Sequence, residues 1–149
     1  MRRHLLALAA TTVGMLAIAS GAYGASVKAE APIQFENRFC GNNLELPAIG
    51  IAKYVRNTKT NVVTVNYKLT GGLPKTSYEL TLWNTTGGVC EEIGPLVNKL
   101  TGAPLVLTTS KLGTGSKTGV IGVPPSDTEV FATGLGGGSY NDSLTVVLP

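Results

Sequence analysis

The sequence predicts an all-β protein, an antiparallel β-sandwich of about eight short strands, closed by one disulfide and preceded by a signal peptide. Three observations carry this. After residue 24 no stretch holds apolar residues at helical spacing, while short runs of alternating residues recur between Gly, Pro, Asn and Thr clusters. The clearest pair is Val62–Leu69 and Tyr78–Trp83. Val63, Val65, Tyr67 and Leu69 share one face of the first run, and Tyr78, Leu80 and Leu82 share one face of the second. Finally, the two cysteines, Cys40 and Cys90, form an even pair in a chain that opens like an exported one.

Met1-Arg2-Arg3-His4 is a short positive head, and LLALAATTVGMLAIASGAYG is an apolar run that ends in small residues. This is the pattern of an export signal, with cleavage expected between Gly24 and Ala25. Thr11, Thr12, Gly14 and Ser20 dilute the run, and no stop-transfer pattern follows, so no stable membrane anchor is expected once the signal is removed. The product would be secreted and extracellular. The remaining length, about 125 residues, suits one domain. The net charge of +3 falls to about +1 without Arg2 and Arg3, and the lysines are scattered singly, which argues against nucleic acid as a partner.

Along the mature chain, residues 25–31 read as a mobile leader and residues 32–149 as the β-domain. Pro32–Glu36 opens the first strand, and Asn37–Asn43 forms a loop around Cys40. Ala48–Arg56 is a second strand, followed by the polar turn Asn57–Asn61 and the central pair. Val89–Ile93 is a short strand that carries Cys90, and Pro104–Thr109 is another. Gly113–Lys117 reads as flexible from its glycines. Thr118–Val123, Thr128–Thr133 and Ser143–Leu148 are further strands, with Gly134–Asp142 as a mobile loop before the last.

The turn Leu73-Pro74-Lys75-Thr76-Ser77-Tyr78-Glu79-Leu80 resembles the tyrosine corner of fibronectin type III and immunoglobulin-like modules. The resemblance implies that Tyr78 packs on the core edge and that its hydroxyl bonds backbone a few residues upstream. It covers about 20 residues and implies an immunoglobulin-like architecture. The strand order departs from that family, because roughly 65 residues follow the corner strand. More broadly, Tyr78, Cys90 and Tyr140-Asn141-Asp142-Ser143 give the mature region a likeness to small secreted β-sandwich proteins of actinobacteria, a group that brings no established activity.

The chemistry of the residues points away from catalysis. The single histidine is His4, within the signal, which removes Ser-His-Asp and Cys-His machinery and the common His-based metal sites. A Cys40–Cys90 bond leaves no thiol nucleophile. No phosphate-binding glycine motif is present. Of the carboxylates, Glu91 and Glu92 are adjacent and so point to opposite faces of a strand. Asp127, Glu129 and Asp142 read as loop acids, and Asp127, Asn141 and Asp142 lack the spacing of a calcium loop. The expectation is a protein that is not an enzyme and takes no cofactor or metal. Trp83 and, in the Gly-rich loop, Tyr140 are the candidate ligand-binding residues, because an exposed aromatic ring can stack on a sugar or anchor a protein. The partner class is an extracellular protein or a cell-wall or other polysaccharide, with a purely structural role also open. The alternative is an inhibitor of an extracellular hydrolase, presenting Gly113–Lys117 and Gly134–Asp142.

Overall fold

A computed structural model describes residues 25–36 and 46–149. They form ten strands: β1 (Ser26–Glu36), β2 (Ala48–Asn57), β3 (Val62–Leu69), β4 (Ser77–Asn84), β5 (Glu91–Pro95), β6 (Val106–Thr108), β7 (Gly115–Gly122), β8 (Glu129–Gly136), β9 (Ser139–Ser143) and β10 (Val146–Val147). All pairings are antiparallel. The main path runs β5-β4-β8-β9-β1-β2-β3-β7, with β6 beside β4 and β10 beside β8. Between β5 and β6 the chain leaves β4, and Val97 bridges to Val120 of β7, so the sheet curls back until it is nearly closed.

The expected alternation sets the inside. Val63, Val65, Tyr67 and Leu69 of β3 are all at 0% exposure, and Tyr78, Leu80 and Leu82 of β4 at 1% or less. They meet Ile33 of β1, Ala52 and Tyr54 of β2, Leu107 of β6 and Val130 and Ala132 of β8 in one core cluster. Each buried leucine or valine contributes about 1.5–3 kcal/mol relative to exposure, which makes this face the main source of stability. The Leu73 N–H donates to the Tyr78 hydroxyl over 2.8 Å, which ties the buried ring to the turn before β4.

Several expected boundaries are corrected. Residues 25–31, read as a mobile leader, belong to the sheet from Ser26 onward, with Ser26 opposite Asn57 and Ala31 opposite Ala52. The reason is that Val27, Ala29 and Ala31 continue the inward alternation of Ile33. Gly115–Lys117, expected to be flexible, opens β7 and pairs along β3. Gly134–Asp142, expected to be a mobile loop, is the end of β8, a tight turn and most of β9. Gly137 and Gly138 have φ of 61° and 77°, as a two-residue hairpin turn of type I′ requires. Gly134 is a strand residue for a different reason: a Cβ there would lie 3.0 Å from the Tyr67 hydroxyl, so the glycine makes room for a core tyrosine. Gly115 and Gly119 of β7 and Gly134 and Gly136 of β8 therefore mark close packing, where composition alone reads as a loop. The expected signal segment 1–24 and the loop around Cys40 lie outside the described residues.

Three buried polar arrangements complete the interior. The Tyr54 hydroxyl and Ser143 Oγ lie 2.5 Å apart, and the Ala132 N–H donates to both. The Tyr67 hydroxyl donates to the backbone carbonyl of Asn141. Burial pushes the phenols of Tyr54 and Tyr67 well above their usual range, because the charged form would be stranded in the core. Arg56 follows Ala52 and Tyr54 on the inward face of β2 and is only 2% exposed. Its guanidinium donates to the carbonyls of Asp127 (2.7 Å), Leu148 (2.8 Å) and Pro124 (2.9 Å). It thereby ties the turn after β7 and the end of the chain to β2.

Candidate functional site

Two surfaces compete. The first is the outer face of β4, β8 and β9, which carries both sequence-predicted aromatic residues. Trp83 stands opposite Phe131, and Tyr140 opposite Leu135. Phe131 and Leu135 are four residues apart on β8, so Trp83 and Tyr140 share a face about 13 Å apart along the strand. Both are half-buried. The indole stacks on Phe131 with ring centroids 6.3 Å apart and an interplanar angle of 21°. Its neighbours on that face are more deeply covered: Phe131 is 3% exposed, Thr133 2%, Asp142 9% and Gln34 7%. Neither Trp83 nor Tyr140 is in the lining of the two depressions described below. Trp83 thus packs one side of its indole on Phe131 and keeps part of the ring at the surface.

The second surface was not singled out by sequence. A depression of about 470 Å³ is lined by Asn84, Glu91, Glu92, Ile93, Gly122, Pro124, Ser126 and Asp127. Its volume lies in the range of ligand sites. One wall is β5, a terminal strand of the path, which pairs with β4 and has no second strand partner among the described residues. The other wall is the end of β7 and the turn that Arg56 holds from inside. Leu82 pairs with Gly94 and Trp83 with Glu92, which leaves Ile93 as an extra bulged residue that helps line the depression. Glu91 and Glu92 do alternate along β5. They line one depression because it follows the strand's edge, which side chains on both faces flank. Sequence reasoning dismissed this pair on parity and missed Asp127 as its neighbour, since nothing local connects residue 127 with residue 91.

The charged side chains in the lining are all acidic, and the buried Arg56 guanidinium lies close behind them on the carbonyls of Pro124 and Asp127. Glu91, Glu92 and Asp127 enter the lining with no lysine or arginine among them. The single ion pair among the described residues, Lys53 to Glu30 at 3.6 Å, lies elsewhere, in a second depression of about 440 Å³ between β1 and β2. That pair is exposed and contributes little. Ser126 Oγ donates to Asp127 Oδ1 over 3.0 Å. The buried Asn84 closes the floor, its Oδ1 accepting the Thr86 N–H over 2.9 Å.

The remaining candidates disperse. Glu129 is half-buried at the start of β8, and Asn141 and Asp142 are consecutive in β9 and so face opposite sides. Among the described residues no group of three or more His, Cys, Asp or Glu is placed to hold a metal ion. Cys90 sits one residue before β5 and is not a free thiol, while Cys40 lies outside the described residues. No helix among the described residues is long and apolar enough to cross a membrane.

No family model, curated protein or solved structure matches this chain.

Proposed function

We propose that this chain is an exported, non-catalytic module that works by presenting a binding surface, and that the acidic depression beside β5 is that surface. The partner class is an extracellular protein segment carrying positive charge. The observation that carries this reading is the convergence of Glu91, Glu92 and Asp127 on one depression beside β5, whose outer edge has no strand partner among the described residues. An open edge offers backbone donors and acceptors to an extended peptide, and the carboxylates select its side chains. We further read the curled sheet as a flattened, immunoglobulin-like sandwich, residues 1–24 as a cleaved signal, and Cys40–Cys90 as a disulfide that anchors the chain next to β5. Reduction of that bond should cost about 4 kcal/mol in the chain-entropy model, measurable as a lower urea midpoint in dithiothreitol.

Isothermal titration with an extended peptide of alternating Lys and Val tests the surface, with its Glu/Val counterpart as control. Binding of the first alone, lost on Glu91→Gln with Glu92→Gln and kept on Trp83→Phe, is the expected result. Equal binding of both peptides, or binding unchanged in the double variant, rejects the depression as the site. The inhibitor reading has less support, because both stretches expected to be its presenting loops lie largely in β7 and in the β8–β9 hairpin.

A further inference from the structure

Antiparallel strands sort their connections to two ends of the molecule. The depression lies at the end where β3 begins and β7 finishes, since Val62 pairs with Gly122. The opposite end, where Leu69 pairs with Gly115, carries the connections 70–76 and 109–114 and the turn at Gly137–Gly138. These connections are bound together: the Gly72 N–H donates to the Gly113 carbonyl (2.9 Å) and the Lys75 N–H to the Ser110 carbonyl (3.0 Å).

From that end projects a preorganised knob. The Ser110 N–H donates to the Thr114 carbonyl over 2.8 Å, and Ser110 Oγ accepts the N–H groups of Leu112 (3.1 Å) and Thr114 (3.3 Å). Leu112 stands at the apex and is 82% exposed, although it is a large apolar side chain on an ordered turn. Lys111 precedes it, and Lys75 is joined to the same turn through Ser110; both are exposed. The connections 70–76, 109–114 and 137–138 contain no aspartate or glutamate. One end of the molecule is thus apolar and basic, and the other is a depression with Ile93 and Pro124 in its lining and three carboxylates around them.

We propose that this chain associates head to tail with a second copy of itself. The Ser110–Thr114 turn of one molecule seats Leu112 against Ile93 and Pro124 in the depression of the next, and Lys111 and Lys75 face Glu91, Glu92 and Asp127. The two surfaces differ and lie at opposite ends, so the contact is heterologous, and each added molecule presents a fresh knob or a fresh depression. A rigid turn loses little freedom on docking, which favours it over a flexible tail as the occupant. The inference rests on the depression being the ligand-bearing surface.

Sedimentation velocity on the oxidised chain, from micromolar to several hundred micromolar and at low and high salt, provides the test. The average mass should rise with concentration and fall with salt. A knob variant, Lys111→Ser with Leu112→Ser, and a depression variant, Glu91→Lys with Glu92→Lys, should each weaken self-association at least tenfold. All four positions lie at the surface, and circular dichroism verifies that both variants fold. Mixed in equal amounts, the two variants should form a 1:1 complex and nothing larger, because one intact knob and one intact depression remain. Wild type that stays monomeric throughout, or variants that still self-associate, or a mixture that gives no complex, overturns the proposal. A monomeric wild type that still binds the Lys/Val peptide would sink self-association and leave the depression standing; failure of both measurements removes both readings.

Discussion

Replacing Arg56 by methionine should be among the most damaging single changes available in β2. Methionine keeps the length and apolar body of this 2%-exposed residue but removes a guanidinium that donates three bonds of 2.7–2.9 Å to the carbonyls of Pro124, Asp127 and Leu148. A fourth contact, to Asn61 Oδ1 at 3.5 Å, is too long to count for much. Hydrogen bonds from a charged donor contribute about 1.5–3 kcal/mol each, a gross loss of about 5–9 kcal/mol. Against this, the variant no longer carries the cost of burying a charge, which is several kcal/mol. The net expectation is a loss of about 3 kcal/mol, out of a total of about 5–15 for a domain of this size. With a urea slope of about 1.5 kcal/mol/M the midpoint should fall by about 2 M, with the slope unchanged. Arg56→Lys should lose about half as much, since one ammonium cannot span three carbonyls in a fork. Hydrogen exchange adds a local signature: the Leu148 amide, which donates to Thr128 over 2.7 Å, should lose protection before the amides of β3. A midpoint for Arg56→Met within about 0.3 M of wild type would refute the view that this side chain clamps the chain's end.

The other expectations follow from single contacts. Tyr78→Phe removes the acceptor for the Leu73 N–H and should cost about 1–2 kcal/mol in the same urea assay, whereas a neutral result would mean that the corner is held by packing alone. Trp83→Ala should lower stability by about 2–3 kcal/mol through the lost stack on Phe131, with peptide binding unchanged in a folded sample; an intact melting curve with lost binding would restore Trp83 as an anchor. Alkaline pH should unfold the protein, because burial raises the phenols of Tyr54 and Tyr67 well above the usual 10.0. A raised phenol stays protonated in the fold after the unfolded chain has lost its proton. Stability is therefore full below about pH 10 and falls above it by about 1.4 kcal/mol per pH unit for each tyrosine, up to the folded value. Tyr54→Phe should roughly halve that slope, and a flat urea midpoint between pH 9 and 11.5 would contradict the burial argument.

What the sequence determined by itself was everything governed by a two-residue period and by local turn chemistry. The core faces of β3 and β4 and the bond of Tyr78 to its own turn are of this kind, since every partner lies within a few residues or repeats along one strand. The absence of histidine after residue 4 is likewise read directly from the sequence. Only the tertiary structure decided the remainder. Alternation could not reveal that β8 is covered on both faces from Val130 to Gly134, because covering depends on what lies across from a strand. Arg56 has the inward parity of Tyr54, but a charge at a core position is tolerable only where carbonyls from residues 124, 127 and 148 converge on it. The glycines at 115 and 134 read as flexible until the side chains packed against them are known. The acidic depression joins residues 84, 91–93 and 122–127, whose proximity is created by sheet closure and appears in no local pattern.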